Sequence, residues 1–453
     1  MKTFLKASAF AAALLSGTSA LAADQDAIVG RWAAVLSRNG VDIPFRLDIN
    51  AEGTAIRGVL YDGFKPNETT TSATFDDGRL VLQIEHYLTT IDARLENGKL
   101  RGRLSAQNRQ SSSDYGFSAT RHVAHPAGAA AQAPAIGGKW EIPLATPTSK
   151  GEKAFRFVVQ QQGSEVAASI LRIDGDTGAY SGYFNQGKWV LSHFDGSRPG
   201  VIVVTPRADG ALEVQQLVDR PQAAAAATKA ASEYTSEIAP DGRYAKTLVA
   251  YRPEVARAKG FAEPEDSLAY TTVKDPNEVF KFAFPDNDGK LVSNEDPQFK
   301  GKVVVAVVTG TWCPNCHDEA QYLVELDKKY RDKGLAIVAL NFEEPEQQET
   351  LKRQKAFVKQ YGVKYTYLQA GSPAQMWEKV PQLNNLTTWP ATVFVGRDGK
   401  VRAVHAGFAS PASGEYHAEL RRDFTSRIET LLAEQPVADA QPARPLATAI
   451  ASK

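Results

Sequence analysis

The first half of the chain alternates apolar and polar positions over short segments that are separated by turn residues. These period-two or short apolar runs are 45–49, 55–61, 80–85, 90–95 and 99–105. The dipeptides Asp77-Gly78 and Asn97-Gly98 stand between runs, and such pairs favour tight hairpin turns that need positive φ. Alternation with period two is typical of strands that bury one face. The pattern therefore predicts an all-β region from about residue 24 to residue 252.

This β region carries two sets of similar landmarks. A Gly-x-Trp segment at 30–32 is followed, 45 residues after its glycine, by a hairpin segment that begins at Phe75. A second Gly-x-Trp segment at 138–140 is followed, 46 residues after its glycine, by a similar segment that begins at Phe184. The spacing predicts a duplication. Two architectures fit it: two small barrels or sandwiches, or two halves of one larger sheet system.

After residue 275 the pattern changes to apolar runs of strand length that alternate with helical segments. The predicted strands are 303–308, 335–340, 365–368, 391–395 and 401–406, and the predicted helices are one that ends at Tyr330, 347–361 and 415–434. Parallel strands joined by helices, followed by an antiparallel hairpin and a helix, indicate an α/β sandwich.

Two segments without periodicity mark the boundaries between these regions. The first is rich in alanine, proline and glycine, and the second is punctuated by prolines. The predicted organisation is a signal peptide at 1–22, β-rich copies at 23–123 and 137–252, linkers at 124–136 and 253–275, an α/β domain at 276–435 and a flexible tail at 436–453.

The first residues have the order of a secretory signal: two lysines, a short apolar run at 7–15 and a small-x-small site at 20–22. This run is too short to span a bilayer, and no later segment offers the roughly 18 consecutive apolar residues of a spanning helix. We therefore expect a soluble protein of the periplasm without stable membrane insertion. The 52 basic and 52 acidic residues cancel, which argues against a nucleic-acid partner and against attachment to lipid by charge.

The only two cysteines, Cys313 and Cys316, are spaced C-x-x-C directly after a predicted strand and at the start of a helix. Two thiols are too few for a closed zinc site, and neither a metal nor another cofactor is expected. A helix N-terminus stabilises an anion, and the thiolate is the species that attacks a disulfide. Because a bridge across so short a loop adds little stability, the spacing indicates redox chemistry with Cys313 as nucleophile.

Residues 276–435 resemble the TlpA/ResA-like thiol:disulfide oxidoreductases of the bacterial envelope, which have the thioredoxin fold. The matching segments are a lead-in segment at 282–289, Phe-Lys-Gly-Lys at 299–302, Trp-Cys-Pro-Asn-Cys at 312–316 and Trp-Pro-Ala-Thr-Val-Phe-Val at 389–395. The resemblance covers about a third of the chain and implies nothing about the β region.

The resemblance implies roles for individual residues. Pro390 aligns with the cis-proline that faces the two cysteines, where the preceding backbone can pair with an extended substrate. Together with Pro390, Trp389 directly before it and Trp312 directly before Cys313 are assigned to substrate binding. Glu319, three residues after Cys316, matches a glutamate of the family's active-site cavity, and we expect it to modulate the proton of Cys316.

The sequence also departs from the family pattern. Trp389 is bulkier than the threonine or valine often found there, so the family resemblance does not determine substrate access or the reduction potential. Gln321 stands where the family has a helix-kinking proline. His317 follows the second cysteine instead of lying between the two, and we interpret it as an exposed helix residue.

The resulting prediction is an exported thiol:disulfide oxidoreductase that works in the reducing direction. Cys313 attacks a substrate disulfide and Cys316 resolves the mixed disulfide. Its expected partners are disulfide-bonded envelope proteins such as cytochrome c maturation clients, and a membrane thiol carrier as electron donor. One alternative is a peroxiredoxin-like thiol peroxidase, although Gly310 stands where that chemistry usually has threonine. Another is a binding or docking function centred on the β region, with an accessory redox domain.

Overall fold

The structure is a computed structural model that describes residues 25–53, 55–107, 112–123, 133–176, 178–218, 236–238 and 244–435. The predicted signal peptide, the predicted tail and most of the predicted linker at 124–136 lie outside these residues. Within them, no helix is both long and apolar enough to cross a membrane.

The first sheet is antiparallel and strongly curled. Its strands are β1 (Gly30–Arg38), β2 (Val41–Glu52), β3 (Ala55–Asp62), β4 (Lys65–Thr69), β5 (Ser72–Asp76), β6 (Arg79–Ile84), β7 (Thr89–Glu96), β8 (Lys99–Gln107) and β9 (Ser112–Arg121). They follow the order β4-β3-β2-β1-β9-β8-β7-β6-β5. Asp77 and Asn97 both have positive φ in their turns, as the hairpin pattern predicts.

The second sheet is also antiparallel and curls almost into a closed barrel. Its strands are β10 (Gly138–Pro143), β11 (Ala154–Gln162), β12 (Glu165–Arg172), β13 (Gly175–Asp176), β14 (Tyr180–Asn185), β15 (Lys188–His193), β16 (Gly200–Pro206), β17 (Leu212–Val218), β18 (Ser236–Ile238) and β19 (Tyr244–Ala250). The order is β10-β11-β12-β14-β15-β16-β17-β19-β18, with β13 beside β12. Reciprocal backbone bonds of 2.8 Å between Glu141 in β10 and Tyr251, the residue after β19, bring opposite sides of the sheet together.

The two sheets repeat one local arrangement around their Gly-x-Trp segments. The buried Trp32 indole donates to the Ile28 carbonyl at 2.8 Å, and the Arg121 guanidinium lies 4.1 Å above the ring. In the second sheet Arg252 lies 3.7 Å above the ring of Trp140 in the same way. This repetition supports the predicted duplication. The predicted all-β fold of the N-terminal region is confirmed.

The remaining residues form the α/β domain. Its strands are β20 (Thr272–Val273), β21 (Ala283–Pro285), β22 (Leu291–Ser293), β23 (Val303–Thr309), β24 (Leu335–Phe342), β25 (Thr366–Gly371), β26 (Leu383–Asn384), β27 (Ala391–Val395) and β28 (Val401–Ala406). The α-helices that follow β19 are α1 (Pro253–Ala258), α2 (Ser267–Tyr270), α3 (Pro314–Tyr330), α4 (Pro345–Gln348), α5 (Lys352–Tyr361), α6 (Met376–Lys379) and α7 (Glu415–Ala433). Short 3-10 helices span Glu85–Tyr87, Arg331–Lys333, Pro373–Gln375 and Pro411–Ser413.

The central sheet of this domain has the order β25-β24-β23-β27-β28, and its first three strands are parallel. Every residue of β23 is buried, because α3 and α7 cover one face of the sheet while α6 and the β21–β22 hairpin cover the other. The predicted thioredoxin-like α/β fold is therefore confirmed. One element differs: the helix predicted at 347–361 is divided into α4 and α5, with Leu351 at a φ of 50° between them.

Candidate active site

The two cysteines lie at the start of α3, directly behind the buried strand β23. Cys313 is the N-cap of the helix, and Pro314 occupies the first helical position, where a missing N–H costs no hydrogen bond. The Cys316 backbone N–H donates to the Cys313 carbonyl at 3.0 Å, within the first turn. Both thiols are free; Cys313 is 5% exposed and Cys316 is 1% exposed. Cys316 is therefore the more buried of the two thiols.

The surroundings of the two thiols shift their pKa values in opposite directions. Burial by itself raises the pKa of Cys313, but hydrogen bonds from the Cys316 thiol and backbone N–H, together with the charge of Arg198, outweigh burial and leave this pKa below its usual value. The pKa of Cys316 is raised well above its usual value by burial and by its hydrogen bond to Cys313. Cys313 is therefore the thiol that forms a thiolate, and Cys316 is the one that keeps its proton.

Across from the cysteines, the peptide bond between Trp389 and Pro390 is cis. The Trp389 carbonyl oxygen lies 3.6 Å from the Sγ atom of Cys313. Trp312 stands edge-on to Trp389, with ring centroids 5.1 Å apart, and its indole donates to the Phe342 carbonyl at 2.9 Å. The structure thus brings the three predicted substrate-binding residues together beside the Sγ atom of Cys313.

Glu319 lies behind the cysteines, between α3 and β27. Its side chain is buried, with 1% of the residue exposed, and it accepts a hydrogen bond from the Thr392 hydroxyl. Burial raises its pKa to about 8; the Thr392 hydrogen bond opposes this shift and the Cys313 charge adds to it. Near neutral pH this carboxyl can therefore either hold or accept a proton, which is the property that general acid–base assistance needs.

His317 is not an exposed helix residue, so its predicted environment was wrong. The residue is 2% exposed, and both of its ring nitrogens lie within hydrogen-bond distance of a polar atom. Its Nε2 atom is 2.7 Å from the Thr311 carbonyl oxygen, and its Nδ1 atom is 2.9 Å from the Tyr361 hydroxyl. Burial, with a smaller contribution from His86, lowers its pKa well below the usual value. The first β sheet covers this side of the helix, since the Tyr87 ring centroid is 4.5 Å away.

The second β sheet also reaches the active site. Asn315, between the two cysteines, donates to the Asp174 carbonyl at 3.0 Å. The Arg198 guanidinium lies 3.5 Å from the Oδ1 atom of Asn315. Gly175 permits this approach: a Cβ atom there would lie 2.1 Å from the Phe408 carbonyl oxygen. Sequence reasoning missed Arg198 and Asp174 because their contacts join residues 117 and 141 positions apart.

A cavity of about 430 Å³ lies over Cys313. Side chains from the first sheet, the second sheet and the α/β domain all line it, including Tyr87, Tyr115, Arg198, Trp312 and Trp389. Cys313 therefore faces a cavity whose walls are shared by three parts of the chain.

The site can be compared with known proteins. A family model described as Redoxin matches residues 272–420. The thiol-disulfide oxidoreductase ResA of Bacillus thuringiensis is 33% identical over 138 residues, which are 29% of this chain and 72% of that protein. ResA of Bacillus cereus is 34% identical over 126 residues, which are 27% of this chain and 65% of that protein.

One more sequence relative and one solved structure are also similar to part of this chain. The thioredoxin-like protein YneN of Bacillus subtilis is 30% identical over 141 residues, covering 30% of this chain and 76% of that protein. Among solved structures, a thiol:disulfide interchange protein DsbE from Chlorobium tepidum is 22% identical; the match covers 36% of this chain and 99% of that one, with a TM-score of 0.29. The chain thus spans between 65% and 72% of the length of the two ResA relatives.

Proposed function

Because the chain belongs to the ResA-like thiol-disulfide oxidoreductases, we propose that it reduces disulfide bonds of envelope proteins through Cys313 and Cys316. The observation that carries the proposal is the difference between the two thiols: the pKa of Cys313 is lowered and that of Cys316 is raised. A nucleophile that ionises readily, beside a thiol that keeps its proton until the second step, is the arrangement that two-step thiol exchange requires.

In the first step the Cys313 thiolate attacks one sulfur of the substrate disulfide. The substrate S–S bond breaks, the second substrate sulfur leaves as a thiolate and takes up a proton, and a mixed disulfide to Cys313 forms. The Trp389 backbone stands beside the reacting sulfur, with its carbonyl oxygen 3.6 Å from the Sγ atom of Cys313. An extended substrate segment can pair with backbone at this position as an added strand does.

In the second step Cys316 loses its proton and attacks the Cys313 sulfur. The mixed disulfide breaks, the second substrate thiol leaves, and a bond between Cys313 and Cys316 forms, so two electrons have passed from the protein to the substrate. We assign the carboxylate of Glu319 as the group that accepts the Cys316 proton, since it is buried behind the pair and its pKa is raised to about 8.

The proposal includes the compartment and the electron donor. We place the protein in the periplasm on the strength of its signal-like first residues, and we propose a membrane thiol carrier as the reductant that restores the dithiol. Cytochrome c maturation proteins are the candidate clients. The cavity favours clients that present their disulfide on an extended segment, because Cys313 is only 5% exposed.

Trapping tests this proposal. A Cys316→Ala variant produced in the envelope should accumulate mixed disulfides on Cys313, and mass spectrometry should identify envelope proteins as the partners. A Cys313→Ala variant is the matched control and should trap none. Disulfide reduction by the purified dithiol and a measured reduction potential determine the direction. A potential in the range of strong oxidants, or equal trapping by both variants, contradicts the proposal.

A second candidate function assigns client selection to the β region, because both β sheets line the cavity over Cys313. Tyr115, from β9, is a cavity wall far from the redox dithiol in sequence. A Tyr115→Ala variant should change the kcat/KM for a protein disulfide by several-fold more than that for a small aromatic disulfide. An equal change for both substrates would remove this assignment.

A further inference from the structure

A cluster of four side chains, three of them buried and one partly buried, lies where the first β sheet meets helices α3 and α5. It consists of Glu68 from β4, His86 from the 3-10 helix after β6, His317 from α3 and Tyr361 from α5. Glu68 is 5% exposed, His86 is 0% exposed and His317 is 2% exposed. We call this set the Glu-His-His-Tyr cluster. None of its members takes part in the disulfide exchange described above.

The donor atoms of the cluster follow one another at short distances. The Nε2 atom of His86 is 3.1 Å from the Oε2 atom of Glu68, which is 3.2 Å from the Tyr361 hydroxyl. That hydroxyl is 2.9 Å from the Nδ1 atom of His317. The donor atoms of Glu68, His86 and His317 all lie within 4.8 Å of one another. Tetrahedral zinc with bonds of about 2.0–2.1 Å spaces its ligands at about 3.3 Å, so three of these spacings already match a metal site.

Hydrogen bonds to neighbouring groups orient the ligand atoms of His317 and Glu68 toward the centre of the cluster. The Nε2 atom of His317 faces the Thr311 carbonyl at 2.7 Å, which fixes the proton on Nε2 and leaves the Nδ1 lone pair directed into the cluster. The Oε1 atom of Glu68 accepts from the Thr69 backbone N–H at 2.9 Å, which leaves Oε2 toward the cluster. Hydrogen bonds of this kind orient ligands in established metal sites.

The polar atoms of the cluster converge on one point. With the His317 proton on Nε2, the Tyr361 hydroxyl can donate to the Nδ1 atom of His317, and the Nε2 N–H of His86 can donate to the Oε2 atom of Glu68. The buried Nδ1 atom of His86 has no hydrogen-bond partner among the described residues. If the His86 proton moves to Nδ1, a cation could contact the lone pairs of Glu68 Oε2, His86 Nε2 and His317 Nδ1 together. The cavity over Cys313 extends to His86.

We propose that the Glu-His-His-Tyr cluster binds one divalent transition-metal ion of the zinc class. Glu68 Oε2, His86 Nε2 and His317 Nδ1 are the three principal ligands, and the Tyr361 oxygen is the fourth. Two imidazoles with oxygen ligands suit Zn²⁺ and Co²⁺ better than Mg²⁺ or Ca²⁺. The ion would join the first β sheet to α3 at His317, which directly follows Cys316 in the sequence. This site is independent of the proposed reductase function.

Binding is tested on the full-length, tag-free chain with both cysteines replaced, Cys313→Ser and Cys316→Ser, because a C-x-x-C dithiol itself binds metals. Titration with Co²⁺ should give the visible absorption of a four-coordinate ion without a sulfur-to-metal band, and elemental analysis should find one ion per chain. Zn²⁺ should compete for the site and should raise the melting temperature of the same protein.

In this background, Glu68→Gln and His86→Phe should each weaken Co²⁺ binding at least about tenfold. His122→Gln, which changes a histidine outside the cluster, should leave the affinity unchanged. Circular dichroism checks that each variant is folded. If Glu68→Gln or His86→Phe does not fold, Tyr361→Phe replaces it as a smaller change to the cluster. Absence of bound Co²⁺ in the parent protein overturns the proposal by itself. So does an affinity that is the same in folded Glu68→Gln as in the parent.

Discussion

The Glu319 carboxyl provides the sharpest test of the proposed exchange chemistry. Glu319→Gln keeps the shape and the hydrogen-bonding capacity of the side chain toward the Thr392 hydroxyl, but it cannot accept a proton. If Glu319 takes the proton of Cys316, the step that resolves the mixed disulfide should slow. The first step, in which the Cys313 thiolate attacks, should change little.

The size of the effect follows from the pKa of about 8, against an ordinary value of 4.5. About a tenth of the Glu319 carboxyls are ionised at pH 7 and about nine tenths at pH 9. Positioned general bases contribute on the order of 10²-fold or more. The loss in Glu319→Gln should therefore be about 10²-fold at pH 9 and about tenfold at pH 7. Cys313 carries no charge in the mixed disulfide, which lowers the pKa of Glu319, so the loss at pH 7 is a lower limit.

The assay is a single-turnover measurement of substrate release from a preformed mixed disulfide between pH 6 and pH 9.5, a range that brackets the pKa of about 8. Wild type should show an inflection at or somewhat below that pKa, because Cys313 is uncharged in the mixed disulfide, and this inflection should be missing from Glu319→Gln. Thr392→Val removes the hydrogen bond that lowers the pKa of Glu319, and it should move the inflection to higher pH.

Glu325→Gln is the matched control, because Glu325 lies on the same helix but is largely exposed and pairs with Arg421. It should leave the release rate and its pH dependence unchanged. An identical profile for wild type and Glu319→Gln would refute the assignment of Glu319 as the proton acceptor. So would an inflection that Thr392→Val fails to move.

Two further changes test the contacts between the β region and the active site, and a third tests a buried carboxyl between the two β sheets. Arg198→Gln should raise the pKa of Cys313, measured from the ultraviolet absorbance of the thiolate, because a positive charge that stabilises this anion is removed. Gly175→Ala should lower the melting temperature, since its Cβ atom would lie 2.1 Å from the carbonyl oxygen of Phe408. Asp62 has a pKa raised to about 7 by burial, so the folded chain holds a proton that the unfolded chain releases near pH 3.8. The free energy of unfolding should therefore fall between about pH 4 and pH 7, by at most about 1.4 kcal/mol per pH unit, and Asp62→Asn should flatten this part of the curve.

The first two changes each have a control variant in the region of the second sheet. The third is judged from the slope of its own stability curve. Arg207→Gln removes an arginine that pairs with Asp209 at the surface, and it should leave the pKa of Cys313 unchanged. Gly187→Ala imposes a similar backbone penalty, at a φ of 83°, with no atom within 4 Å of the new Cβ, so a loss as large as that of Gly175→Ala would contradict the contact argument. For Asp62→Asn, a slope equal to that of the native chain would show that another group takes up the proton.

The parts of the fold that could be predicted are those fixed by local pattern. Strand β23 and helix α3 follow from a continuous apolar run and from a proline at the first helical position, and the structure ends the helix at Tyr330 as expected. The division between α4 and α5 had no such signal. There, Arg353 is 2% exposed and pairs with two acidic residues of the preceding loop, an arrangement that depends on tertiary contact.

The residues that sequence reasoning missed share one physical reason. Helical spacing identifies which positions of α3 lie on one face, but it cannot show that a distant sheet covers that face. The position of His317 directly after Cys316 favours an exposed helix residue, whereas the ring of His86, 231 positions earlier, lies 4.7 Å from it. Arg198 was absent from the predicted site for the same reason, since its contact with Asn315 joins separate regions of the chain.

These contacts change what the β region is expected to contribute. A docking module that only guides clients could be removed without affecting the intrinsic reactivity of the dithiol. Here Arg198 helps to lower the pKa of Cys313, and Asp174 accepts a hydrogen bond from Asn315, between the two cysteines. The β sheets also supply walls of the cavity in which Cys313 reacts. Removing the β region should therefore both open the site and raise the pKa of the nucleophile, so the reactivity of the dithiol and the choice of client should change together.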